Sequence, residues 1–193
     1  MTGGGSWLAH AAFLSGLWIS GEQRFRTLTS SDRTTLTGAF RATGAWRTVG
    51  VAPGVDRAWP EGRFFGLDHV YDRARLGYRG PAFGWSQVPD QFTLEAFRRL
   101  ESGRRGRGPL MAQIMLTSSH HPWAPVPRMT DWRSLGDGSV FHRVRKDGTD
   151  AEALERISGW GWTEGLKPAA DAPVRAMDAF RDRFLRAYGP RPG

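Results

Sequence analysis

The run Leu110-Met111-Ala112-Gln113-Ile114-Met115-Leu116-Thr117, followed at once by Ser118-Ser119-His120-His121-Pro122-Trp123, decides how this sequence is read. Its first half is almost continuously apolar, the pattern of a central parallel strand covered on both faces. Its second half is polar and carries two histidines. In open α/β sheets ligands bind beyond the carboxyl ends of strands, and an imidazole there can hold an oxyanion or pass a proton. A surface loop with hydrogen-bonded histidines accounts for the same residues equally well.

Working outward, a second β-rich stretch, Trp46 to Ala52, is stopped by Pro53-Gly54. A helix is expected before it, from about Ser31 to Thr43, capped by Ser30 or Ser31 and ended by Gly44. Helix followed by buried strand is half of a βαβ unit. A short strand is expected between Phe64 and Tyr71, loop from 77 to 89, and a helix from Gln91 to Leu100. At the start, Ser6 reads as the N-cap of a helix from Trp7 to about Trp18, approached through Gly3-Gly4-Gly5. Helical stretches at about 150–157 and 174–188 stand in a tail of lower apolar content. The fold class expected is α/β, with a mostly parallel central sheet.

The chain has 193 residues, enough for one domain with a real core. It is 39% hydrophobic and 24% charged, the balance of a globular protein. There is no cysteine, which excludes disulfides and thiolate metal sites. The formal charge is +8, yet only Lys146 and Lys167 among the 27 basic residues are lysines. That arginine skew is what GC-rich codons produce. The basic residues are scattered rather than gathered on a face with interleaved aromatics, so a nucleic-acid partner is not expected. No stretch has the length of a membrane span, and no signal peptide opens the chain.

Three places can carry chemistry. Gly3-Gly4-Gly5-Ser6 puts a hydroxyl at a helix start, where backbone N–H groups favour an anion and a serine can attack phosphorus or sulfur. On its own the motif reads first as an ordinary N-cap. His10, one turn later on the same face, can reach the same place, or serve as a buried structural histidine. Pro53 to Glu61 follows a strand and opens on the same edge of the sheet. Trp59 can wall a pocket there, although covering the core is the simpler role. The Ser118–Trp123 loop, with His120, is the third. Asp68-His69 reads as structural. The sequence contains no phosphate loop, zinc-protease helix or dinucleotide fingerprint.

Several segments, in order, carry a resemblance. They are Gly5-Ser6-Trp7-Leu8-Ala9-His10 with Ser15-Gly16-Leu17-Trp18, then Leu36 to Val51, and Arg57-Ala58-Trp59-Pro60-Glu61-Gly62. Phe65-Gly66-Leu67-Asp68-His69-Val70-Tyr71-Asp72, Leu76 to Pro81, Trp85 to Thr93, and Ser118-Ser119-His120 with Pro122-Trp123 follow. Together they resemble the catalytic domain of the alkaline phosphatase/sulfatase superfamily, in particular actinobacterial membrane-anchored sulfatase-like proteins of the lipoteichoic acid synthase type. The resemblance covers about residues 3–141.

It implies a partial alkaline-phosphatase-like α/β/α sandwich over 1–141 and a divergent helical C-terminal tail over 142–193. It also implies a divalent metal (Mn, Mg, Zn or Ca) and a phosphate or sulfate ester substrate, such as an envelope lipid or polymer. By position Ser6 resembles the nucleophile that also ligates the metal, His120 the substrate-binding histidine, and Trp59 a substrate-pocket tryptophan, with His10 beside them. Family catalytic domains are extracytoplasmic. Family members also carry an acidic metal ligand before the nucleophile and an Asp-His pair late in the domain; neither is found at the matching places here. The expectation is therefore an incomplete hydrolase or transferase domain, weak or inactive alone, with a non-catalytic anion-binding remnant as the alternative.

Overall fold

A computed structural model describes residues 5–56, 59, 61–117, 124–144, 146 and 147. His120 and its loop, Arg57, and the tail helices expected after residue 148 lie outside the described residues.

Three parallel strands organise the described part: β1 (Arg47–Ala52), β2 (His69–Asp72) and β3 (Leu110–Ile114), in the order β2-β1-β3. Val49 pairs with His69 on one side and Ala112 on the other. The strand register sorts the side chains. Val49, Val51, Tyr71, Ala112 and Ile114 point to one face, into a core with Phe83, Val88, Phe92 and Phe141. The alternate residues point to the other face, where Val70, Leu67 and Phe65 meet Leu8, Ala11, Leu14, Ile19 and Leu28. Helices therefore cover both faces, the arrangement of an α/β/α sandwich.

The second face is covered by α1 (Ser6–Ser15), α2 (Glu22–Thr29) and α3 (Leu36–Ala42). Gly16, in the left-handed region at φ 65°, ends α1 earlier than Trp18. The expected helix from Ser31 to Thr43 is shorter at its start. The Ser31 hydroxyl donates to the Leu28 carbonyl and closes α2. Thr35 becomes the cap of α3, its hydroxyl accepting from Gly38 N at 3.1 Å. Two short helices, α4 (Glu61–Phe64) and α5 (Arg73–Leu76), flank β2. The first face is covered by α6 (Asp90–Phe97), which runs into a π-helical turn, Arg98–Ser102. Further on, β4 (Val126–Pro127) and β5 (Lys146–Asp147) form an antiparallel pair.

One expectation is corrected. The central strand is β1, not the apolar run at Leu110. From Thr48 to Ala52 β1 is buried throughout, while β3 sits at the edge and every residue of it is half-buried. Both faces of β3 are covered, which is why it reads as apolar, but its outer hydrogen-bonding edge has no strand among the described residues. The centre of the sheet carries a glycine for a packing reason. A Cβ on Gly50 would meet Leu67 Cδ1 at 2.9 Å.

An ion-pair network ties the first face to the sheet. Glu101, 2% exposed, receives a forked pair of hydrogen bonds from the Arg47 guanidinium and one from the Tyr71 hydroxyl at 2.6 Å. Arg47 holds the Glu101 carboxyl below its ordinary range, against the opposing effect of burial. Among the described residues no helix is long and apolar enough to cross a membrane.

Candidate functional site

A cavity of about 680 Å³ opens where α1 and α2 meet the carboxyl ends of β1 and β3. Val55 and Met115, just beyond those strand ends, form part of its floor. The Met115 amide donates to the Val51 carbonyl at 2.8 Å, so the sheet pairing extends to the cavity edge. Trp7, Phe25, Trp59 and Phe65 supply aromatic walls. Trp7 and Phe25 pack edge to face, 4.7 Å between centroids. Glu22, Arg26 and Glu61 supply charge, and Glu22 pairs with Arg26 one turn along α2.

Two sequence-expected residues meet here. His10, from the first helix, and Trp59, from the loop after β1, line the same cavity. His10 Nδ1 lies 3.1 Å from the Gln113 amide nitrogen on β3. Burial lowers the His10 pKa from its ordinary value, so the ring is neutral at neutral pH.

Ser6 is not an N-cap. Gly5 takes that place, extended at φ −147°, and its carbonyl accepts from the Leu8 and Ala9 amides. A Cβ on residue 5 would stand 3.0 Å from the Trp7 indole Nε1, so a glycine suits this place. Ser6 is thus the first helical residue, exposed, and its hydroxyl has no hydrogen-bond partner among the described residues. It is not among the residues lining the cavity; Trp7 beside it and His10 one turn on are. His120 lies outside the described residues. The last described residue before it, Thr117, is held by the Asp90 carboxylate through its amide at 2.8 Å.

Asp68 is occupied with structure. Its carboxylate accepts from the Thr48 amide at 2.9 Å and from Arg41 at 2.8 Å, anchoring the start of β1. His69 packs on Tyr71. Among the described residues no group of three or more His, Asp or Glu comes together to hold a metal ion. Of the ligand set implied by the resemblance, these residues offer Ser6 alone, which does not fit a tightly held divalent cation.

Sequence reasoning missed Gln113 and the whole of α2, with Phe25, Glu22 and Arg26. The signals for α2 were present: Gly21 ahead of an acidic first residue, and a Glu-to-Arg pair at i, i+4. Nothing in a strand pattern distinguishes Gln113 from any other polar residue on a covered face.

No protein-family model and no curated protein matches this sequence. Among solved structures, the crystal structure of the lipoteichoic acid synthase LtaP from Listeria monocytogenes matches with a TM-score of 0.51 and 16% identity. The fold is similar to that of the synthase. The match covers 82% of this chain and 40% of the synthase chain. At that identity it establishes architecture: a three-stranded parallel sheet with helices, a partial alkaline-phosphatase-like sandwich.

Proposed function

We propose that this chain is part of a sulfatase-like domain whose cavity receives a phosphate or sulfate ester. The observation that carries the reading is the meeting of His10 and Trp59 in one cavity at the carboxyl rim of a parallel sheet, the place where such sheets bind ligands. In this reading Trp59 and the neighbouring rings bind the apolar part of the ester. His10 donates a hydrogen bond to its anionic head, and Ser6, one turn before His10 on the same helix, is the nucleophile. The sequence motif makes His120, outside the described residues, the further substrate contact. An envelope lipid or polymer ester is the substrate class that the sequence motifs suggest. The actinobacterial kinship rests on those motifs alone.

Hydrolysis or transfer by a serine hydroxyl calls for a cation that lowers its pKa and offsets developing charge. The described residues do not assemble ligands for Mn, Mg, Zn or Ca, so the reading for this chain alone is ester binding with weak or no turnover. The same observation favours a second reading, a non-catalytic anion-binding module.

One assay separates them. The full chain is incubated with p-nitrophenyl phosphate, with and without Mn²⁺, beside Ser6→Ala. Metal-stimulated release of nitrophenol that Ser6→Ala abolishes supports a catalytic domain. Ester binding without release in either protein supports the binding module. Neither binding nor release overturns both.

A further inference from the structure

Gln113 sits on the α1-facing side of β3, where the register alternates it with Ala112 and Ile114. Its amide nitrogen lies 3.1 Å from His10 Nδ1. An amide NH₂ can only donate, so with the nitrogen on this side Nδ1 presents its lone pair and the proton of the neutral ring sits on Nε2. Nε2, on the other side of the ring, has no partner among the described residues, and the ring lines the cavity.

The rest of the amide makes the arrangement informative. Gln113 Oε1 is buried and has no hydrogen-bond partner among the described residues. Turned over, the same amide would offer Oε1 to an Nδ1–H. The ring proton would then move to Nδ1, and Nε2 would face the cavity as an acceptor. The two orientations therefore define two sites: one gives an anion a donor, the other opposes it with a lone pair. With the nitrogen toward Nδ1 the buried Oε1 is left unpaired, a desolvation cost, and this is the orientation that suits an anionic ligand.

We propose that Gln113 is a positioning residue that selects the Nε2–H tautomer of His10 and aims that N–H into the cavity toward an ester's anionic oxygen. The proposal rests on the ester-binding reading for its purpose, but the tautomer itself does not depend on a ligand. Burial keeps the ring neutral, so the choice of tautomer matters at neutral pH. Arg26 is the cation that shares the cavity, and Glu22 and Glu61 are its carboxylates. Arg26 is already paired with Glu22, and Glu61 adds a second carboxylate, so the attraction for an anion rests on the His10 donor.

The test is a long-range ¹H–¹⁵N correlation spectrum of the full chain at pH 7.5, in which Nε2–H and Nδ1–H rings give different patterns. His10→Gln identifies the His10 signals. The expected result is an Nε2–H pattern for His10 that Gln113→Glu converts to Nδ1–H, because a carboxylate accepts and cannot donate. An Nδ1–H pattern in the unaltered protein, or a pattern that Gln113→Glu leaves unchanged, overturns the proposal. The first of these needs no variant, so the proposal stays testable if Gln113→Glu does not fold. Inorganic phosphate is then titrated into the unaltered protein and Gln113→Leu, with about a fivefold weaker affinity expected in the variant. An unchanged affinity overturns the positioning role. No phosphate binding by a protein with the expected tautomer counts against the proposed function and leaves the Gln113–His10 assignment supported.

Discussion

The rings of Trp59 and Phe65 lie 5.8 Å apart, tilted by 32°, and both face the cavity between the first two helices and the sheet. Phe65 is fully buried and belongs to the core, so it fixes the Trp59 ring against a rigid backing. A ring held in this way offers a flat apolar wall with little entropy left to lose on binding.

The first prediction follows from that wall. Trp59→Ala weakens binding of p-nitrophenyl phosphate roughly tenfold, the scale of one lost aromatic contact, and Trp59→Phe recovers most of it. Isothermal titration of the three proteins measures the effect. Equal affinities would mean that Trp59 only covers the core.

A second prediction concerns Glu101. Its carboxylate is buried while the Arg47 side chain is 45% exposed, so the pair gains less than a fully buried one. Glu101→Gln is expected to cost about 2 kcal/mol, seen as a lower urea midpoint with the slope unchanged. The sign with pH is fixed by the depressed folded-state pKa of Glu101. Its stabilisation is complete above the unfolded value of 4.5. It fades as pH falls from there through the lower folded pKa. Glu101→Gln should therefore flatten the acid limb of stability below that point.

Gly66 gives a third. It lies at φ 74°, and a Cβ there would stand 2.5 Å from Gly38 Cα, which is backbone and cannot move aside. Thr35 and Thr37 both bond the neighbouring Phe65 carbonyl from α3, so the two segments are locked together. Gly66→Ala is expected to cost about 3 kcal/mol or more, measured by denaturant unfolding. A loss under about 1 kcal/mol would show that α3 can shift away.

These particulars show what the sequence made legible. β1 and β3 were readable because both are covered on two faces and so lack the alternation of a half-exposed strand. Their order in the sheet was not readable, because apolarity reports the covering of faces and says nothing of the hydrogen-bonding edges. The centre fell to the strand with Thr48 and Gly50, small residues chosen by what packs over them. At the site, helix spacing for His10 and a loop after a strand for Trp59 pointed to one region of the fold, and the two residues line one cavity there. Gln113 was not legible, since its role depends on a contact with His10 made between two elements far apart in the chain. Ser6 was misplaced by one residue, since Gly5 takes the cap and its carbonyl accepts from the Leu8 and Ala9 amides.

A fourth prediction tests the state of His10. Burial places its folded-state pKa below the unfolded value of 6.5. The unfolded chain therefore binds the proton more tightly, and stability falls as pH drops below 6.5 toward the folded pKa. His69 shifts in the same direction, from burial and the nearby Arg47 and Arg75, and contributes the same sign. The difference between the unaltered protein and His10→Gln isolates one residue. Melting temperatures across pH 5 to 8 should converge toward the acid end and separate above it.

The most direct measurement follows the Trp59 indole and the His10 ring by NMR as p-nitrophenyl phosphate is added to the full chain. The account predicts that both sets of signals shift together along one saturating curve, with the Trp7 indole beside them. Saturating ligand that leaves His10 and Trp59 unmoved, or that shifts only residues remote from the cavity, would contradict it.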